Sequence, residues 1–265
     1  MNIPALVAAS ASAVIILYYL VTNSPWLTKG IPTASLKVDS GAVMVLSDLH
    51  IDANPMDLGI IGSLARINGV NTLVIAGDLF NYRIRIRDEL ELGVMVRYAV
   101  ERLGLSRVKA RLTVLYLMSS SSHDPEVHGN HRVSVMKVNN VTVVAMQGAV
   151  RLSYPDCIGS VYITHGDYAV KDGVLAGLLS FISLKLLNYP LFEVMLRRIL
   201  NVNDHDWVIS GHTHVPVFNS ELKVANPGSW VKALVMKPHF GYVTIRCSNG
   251  ELKVSLGSVH GNNAY

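Results

Sequence analysis

Charge and aromatic side chains are both scarce in this chain. Of its 265 residues, 16% are Asp, Glu, Lys or Arg and 7% are Phe, Trp or Tyr. That leaves no broad basic surface interleaved with stacking rings, which argues against a nucleic-acid binder. Cysteine is nearly absent. Cys157 and Cys247 cannot build a multi-bridge scaffold or a four-thiolate zinc site, and the one bridge they allow does not identify a redox compartment. There is no internal repeat. Half of the residues are apolar, so disorder is excluded and the core suffices for one large domain or two small ones. The net charge is only +4, and residues 83 to 111, with eight basic and four acidic side chains, account for all of it. The basicity is one local patch.

The first 28 residues contain no charged side chain, and from Ile3 to Val21 only Pro4, Ser10 and Ser12 are not apolar. As a helix this run spans roughly 28 Å, close to the hydrocarbon thickness of a bilayer. Residues 1–28 are therefore read as an N-terminal transmembrane anchor helix. A secretory signal would place small residues after the bulky ones, whereas here Ala8 to Ala13 precede Val14 to Leu20. An uncleaved signal and a start placed too early remain the alternatives. Lys29 and Lys37 follow the span, and the positive-inside bias weakly favours a cytoplasmic domain on a membrane-anchored chain. Residues 29–40 read as a tether, and the folded domain as 41–265.

Within that domain one grammar repeats: a short apolar strand that ends in polar residues. Ala42 to Leu46 stops at Ser-Asp-Leu-His, and Asn71 to Ala76, after a helical pattern near Met56 to Ile67, stops at Gly-Asp. Leu112 to Met118, after a helix from Asp88 to Leu103, stops at Ser-Ser-Ser-Ser-His-Asp. Strands near Val133 to Val138 and Val141 to Met146 pair across Asn-Asn; Val161 to Thr164 runs into His-Gly, and Trp207 to Ser210 into Gly-His-Thr-His. A hydrophobic helical insertion at about 170–200 breaks at Asn188-Tyr189-Pro190, and the last 45 residues read as hairpins with Asn-Ser, Pro-Gly and Asn-Gly turns. Alternating strands and helices predict an α/β fold with parallel strands.

In open α/β sheets ligands sit beyond the carboxyl ends of the strands, and there this sequence places Asp48, His50, Asp78, His123, Asp124, His165, His212 and His214. Asp48 and His50, like His212 and His214, are two apart, so in an extended segment both members of a pair project to one side. Imidazole and carboxylate ligands without thiolates suit manganese, iron, zinc or magnesium, and there are more of them than one tetrahedral ion takes. A two-metal site that clamps a phosphoryl group and activates water follows. Its chemistry is phosphate-ester hydrolysis.

Asp48-Leu-His50, Gly77-Asp78, Ser122-His123-Asp124, His165-Gly166 and Gly211-His212-Thr213-His214, in that order, resemble the five blocks of the calcineurin-like metallophosphoesterases. Asn226-Pro-Gly-Ser229 resembles the turn that follows the last block. The resemblance covers residues 41 to 256 and implies a four-layer α/β/β/α sandwich. It implies that Asp48, His50 and His214 hold one divalent metal, that Asp78 bridges two, and that His165 and His212 hold the second, manganese foremost. A metal-bridging hydroxide would attack phosphorus, while His123, oriented by Asp124, stabilises charge and protonates the leaving group. The family has Gly-Asn-His in its third block, and here Ser122 stands where its Asn ligand would be. Gly129-Asn130-His131 is the alternative third block.

Arg83, Arg85 and Arg87 alternate after the second block and are candidate substrate-binding residues, with a solvated face as the plain alternative. The 170–200 insertion packs onto the sandwich or forms a cap or membrane-facing lid. His165-Gly-Asp167 with such an insertion is similar to the branch that cleaves UDP-diacylglucosamine. The expected substrate is thus a phosphodiester or pyrophosphate, lipid-linked or nucleotide. A phosphomonoesterase, or a weakened member of the fold that serves as a protein-binding scaffold, stays open, as does the oligomeric state.

Overall fold

The computed structural model describes residues 30–82, 84–86, 88–120, 123–127, 133–233 and 237–259. The anchor expected at 1–28 lies outside them. Along the described residues run β1 (Thr33–Lys37), β2 (Ala42–Leu46), α1 (Ile60–Ile67), β3 (Val70–Ile75), β4 (Ile84–Ile86), α2 (Glu89–Arg102), β5 (Leu112–Met118), β6 (Pro125–Val127), β7 (Val133–Val138) and β8 (Val141–Gln147). They continue with β9 (Ala149–Ser153), β10 (Ser160–Thr164), α3 (Gly173–Leu187), α4 (Leu191–Ile199), β11 (Trp207–Ser210), β12 (Val217–Asn219), β13 (Val224–Asn226), β14 (Gly241–Ser248) and β15 (Glu251–Ser258).

Two mixed sheets result. One has the order β15-β14-β2-β3-β5-β8-β7, the other β1-β9-β10-β11-β13-β12. In the first, β2, β3, β5 and β8 are parallel neighbours; in the second, β10, β11 and β13 are, as are β1 and β9. The period-2 alternation of each strand divides its side chains between two cores. Met44, Leu46, Leu73 and Ile75 face α1 and α2. Val43, Val45, Val74 and Ala76 face the other way, against Val150, Leu152, Val161 and Ile209 of the second sheet. A third core joins that sheet, through Val208 and Val224, to α3 and α4. Three apolar cores between four layers make an α/β/β/α sandwich, and the 170–200 insertion supplies one of its outer layers.

The helices begin and end where side chains dictate. Asp88 caps α2 by accepting from Glu91 N at 2.9 Å, with Glu89 and Glu91 in the first turn, where the helix dipole favours negative charge. Asp172 caps α3 in the same way. Asn188, in the left-handed region, closes it before Pro190.

Three sequence expectations need correction. Residues 33–37, read as part of a tether, form β1 and pair with β9, so the folded unit reaches back before residue 41. The first helix starts at Ile60 rather than near Met56, because Asp57 turns the chain by accepting from Gly59 N. Asn249-Gly250 does join a hairpin, β14 to β15, both residues having positive φ; Pro227-Gly228 instead lies in a loop between β13 and β14.

Candidate metal centre

Five strands of the two sheets, β2, β3, β5, β10 and β11, deliver their carboxyl-terminal residues to one place. Asp48 and Asp78 follow β2 and β3, His165 follows β10, and His212 and His214 follow β11. Two groups of donor atoms form there. Asp48, His50, Asp78 and His214 make one, Asp78, His165 and His212 the other, each with its donor atoms within 4.8 Å of one another. Asp78 belongs to both: Oδ2 lies 3.9 Å from His50 Nε2, and Oδ1 lies 3.4 Å from His165 Nε2. Asp48 Oδ1 lies 3.3 Å from His214 Nε2, while its other oxygen accepts from His212 N at 3.0 Å.

The ring nitrogens are oriented by carbonyls. His165 Nδ1 is 2.9 Å from Ala76 O and His212 Nε2 is 2.7 Å from Val170 O. A carbonyl only accepts, so those nitrogens carry protons, which leaves His165 Nε2 and His212 Nδ1 as the atoms that the rings would turn to a cation. These two atoms face each other at 3.0 Å, with Asp78 Oδ1 beside them. Three acceptors converging on one point repel unless a proton or cation lies among them. In the other group, Asp48 Oδ1 and His50 Nε2, the ring nitrogen on the side of Asp78, are buried without a hydrogen-bond partner, which is the condition of ligands facing a cation.

Charge balance leads to the same need. Asp48, Asp78, Asp124 and Asp167 are buried, and no lysine or arginine is buried among the described residues. Burial alone would lower the His165 pKa, but the carboxylates of Asp78, Asp167 and Asp48 outweigh it and raise the group to about 9. Burial lowers His50 and His212, with the neighbouring His165 adding to the effect at His212. Carboxylate and imidazole donors with uncompensated negative charge fit divalent metal ions.

The backbone here is strained. Asp48, His50, Asp78, His212 and His214 all have positive φ, between 43° and 72°, a region that non-glycine residues rarely adopt. The expectation that each Asp-x-His or His-x-His pair projects together from an extended segment is thereby corrected, since left-handed turns aim them. Glycine is required beside them. A Cβ on Gly77 would collide with the His165 ring, and one on Gly211 with Ser47 Oγ.

His123 stands next to the first group, its ring centroid 4.9 Å from that of His50 and its Nδ1 3.1 Å from Asn81 O. Asp124 was expected to orient His123. Its carboxylate instead accepts from Asp78 N, Leu79 N, Ser119 N and Tyr116 Oη, which ties the ends of β3 and β5 together. Burial and the nearby Asp78 raise Asp124 to about 6 despite those donors. Ser122, Asn130, Arg83 and Arg87 lie outside the described residues. Arg85, on β4, is exposed and in register with Glu126.

Several residues at the site were not foreseen. Ser119 Oγ donates to Asp78 Oδ1 at 2.7 Å, so a hydroxyl does reach the second group. Asp167 Oδ2 accepts from the amide and hydroxyl of Ser120. Beneath the last turn, Asn226 Nδ2 faces Gly211 O, Thr213 Oγ1 and Glu193 Oε1.

The sequence matches no family model and no curated protein. Solved structures are similar to it at low identity. An archaeal phosphodiesterase shares 15% identity over 82% of this chain and 99% of its own, with a TM-score of 0.36. YfcE, a phosphoesterase from E. coli, shares 17% over 82% and 99%, with a TM-score of 0.38. Vps29 of Chaetomium thermophilum shares 11% over 82% and 97%, with a TM-score of 0.40. None of these likenesses reaches a TM-score of 0.5, and they add nothing to the geometry of the site itself.

Proposed function

We propose that this chain is a metal-dependent phosphoesterase that hydrolyses a phosphodiester or pyrophosphate bond. The observation that carries the reading is the pair of donor groups sharing Asp78, whose ring nitrogens are held by carbonyls with their lone pairs turned inward. Asp48, His50 and His214 would hold one divalent ion, His165 and His212 a second, and Asp78 both, with manganese the first choice. Bound there, the ions would neutralise phosphoryl oxygens and bring the pKa of water toward neutrality.

The protein's own groups supply the remainder. His123, half-buried beside His50, is placed to hydrogen-bond a phosphoryl oxygen and give its proton to the departing oxygen. Asn81 O orients that ring. Asp124 fixes the relative position of Asp78 and Ser119.

Residues 1–28 are proposed as a membrane anchor, on their uncharged apolar run. The disulfide between Cys157 and Cys247 supports placing the domain on an oxidising side of that membrane, the opposite of what Lys29 and Lys37 suggest.

Hydrolysis of a chromogenic phosphodiester with manganese, with and without chelator, tests the reading. Turnover that a chelator abolishes and Asp78→Asn removes is expected. No turnover by a folded, metal-loaded chain on phosphodiesters, pyrophosphates and phosphomonoesters would sink it in favour of a binding scaffold.

A further inference from the structure

α3 is apolar around its whole circumference, Gly-Val-Leu-Ala-Gly-Leu-Leu-Ser-Phe-Ile-Ser-Leu-Lys-Leu-Leu, yet only one face is covered. A helix of that composition belongs in a core or in lipid. Ala176, Leu179 and Ser183 are buried against the second sheet and α4, but Val174, Leu175, Leu178, Phe181 and Leu186 are exposed, Leu178 by 51%. At 100° per residue these five exposed side chains fill an arc of about 140°, while Leu187, exposed at the helix end, falls on the buried side. Six of the fourteen large hydrophobics that are exposed among the described residues lie on this one helix. Scattered apolar residues on a surface need no explanation, but a contiguous stripe marks a contact.

Three observations identify what covers it. The chain enters the described residues at Gly30, and Ile31 is buried in the same apolar cluster as Val170, Ala176 and Leu179. The described chain therefore begins on the α3 side of the molecule, and the uncharged run Ile3 to Val21 precedes it in sequence. Lys171 and Lys185 are exposed at the two ends of the helix, and Lys185 Nζ lies 6.0 Å from the Phe181 ring, the placement of a lysine whose stem covers apolar surface while its charge reaches outward. Asp172, the acid next to Lys171, is spent on the cap. With 15 residues the helix is about 22 Å long, too short to cross a bilayer but suited to lie along one.

We infer that the exposed face of α3 docks on the lipid bilayer, with Val174, Leu178, Phe181 and Leu186 among the acyl chains and Lys171 and Lys185 at anionic headgroups. It rests on the proposed anchoring by residues 1–28, but not on any catalytic activity. Docking sets the metal centre near the amino-terminal end of the membrane-bound helix: a Cβ on Gly173 would lie 3.4 Å from His212 Cε1, and Val170 O is 2.7 Å from His212 Nε2.

The full chain, labelled with an environment-sensitive fluorophore at Leu178→Cys, is reconstituted with phosphatidylcholine and phosphatidylglycerol vesicles carrying a nitroxide on the headgroup. Val94→Cys, exposed by 64% on α2 in the opposite outer layer, is the control. The expected result is flotation with the vesicles, loss of at least about half of the emission at position 178 and none at 94. A chain that fails to float overturns both the anchor and the docking. Flotation without quenching at 178 leaves the anchor standing and overturns the docking. Blue-shifted emission that the lipid nitroxide does not reach would mean that residues 3–21 cover the face within the chain. Self-quenching that grows with protein density would mean a second copy covers it. Either of these overturns the inference as well.

Discussion

Glu193 lies on α4 with no exposed surface, and its titration makes the stability of this protein depend on pH in a defined direction. Oε1 accepts from Asn226 Nδ2 at 3.1 Å, and Oε2 has no partner. Burial raises its pKa from 4.5 to about 7, and the hydrogen bond from Asn226 offsets only part of that shift. Between those two values the folded chain keeps a proton that the unfolded chain has released, so stability falls as pH rises through the window and levels off above it. At 1.36 kcal/mol per unit, the loss is roughly 3 kcal/mol. Glu193→Gln has the shape of the protonated acid and does not titrate. Parent and variant should therefore unfold alike near pH 4.5, and the variant should be about 3 kcal/mol the more stable at about pH 8. Paired urea titrations, followed through the buried Trp207 and Trp230, measure this difference; every other titrating group is common to both proteins and cancels. Parallel pH profiles for the two proteins would refute the reasoning.

At the centre itself, His123→Ala should keep its metal, measured by elemental analysis, and lose about a hundredfold or more in kcat, as removal of a general acid does; unchanged turnover would take His123 out of the mechanism. Gly77→Ala drives a methyl group into the His165 ring and strains a residue with φ of 77°, so manganese affinity should fall by at least about tenfold in a chain whose circular dichroism is unchanged. Cys157→Ser with Cys247→Ser opens a link across a sequence separation of 90 and should cost up to about 4 kcal/mol by urea unfolding; a cost near zero would show the bridge to be dispensable.

Much of this architecture is legible in the sequence because strand length, apolar content and a polar stop coincide. β5 and β11 have the limits that their apolar runs predict, and α2 lies between Asp88 and Leu103 as its cap and periodicity require. The donor residues are legible for the same reason, since each follows such a strand. Their aim is not. An Asp-x-His spelling reads as an alternating segment, and only the fold reveals left-handed turns at Asp48 and His50. The partners of Asp124 were misread because adjacency in sequence suggested His123, whereas the carboxylate turns back to the amides of β3 and β5. β1 escaped notice because its exposure alternates at a sheet edge and its apolar content is low. Glu193 carried a signal that went unused: with Leu196 and Leu200 it falls at i, i+3 and i+7 on the apolar side of α4, where an acid is out of place.

Left-handed backbone at five donor residues costs on the order of 1 to 2 kcal/mol each, and such strain persists only where the surroundings over-determine it. Here the loops hold one another. Asp48 N donates to Gly77 O and His50 N to Asp78 O, which joins the first two turns of one sheet. Gly211 N donates to His165 O in the other sheet. The two sheets are then tied across their junction by His212 N to Asp48 Oδ2 and Trp230 N to Asp48 O. All of these bonds run through backbone amides, and none uses a donor atom that faces either group. The backbone of the sandwich thus holds the donor residues in place, and the inward-facing ring nitrogens and carboxylate oxygens are left for ligation.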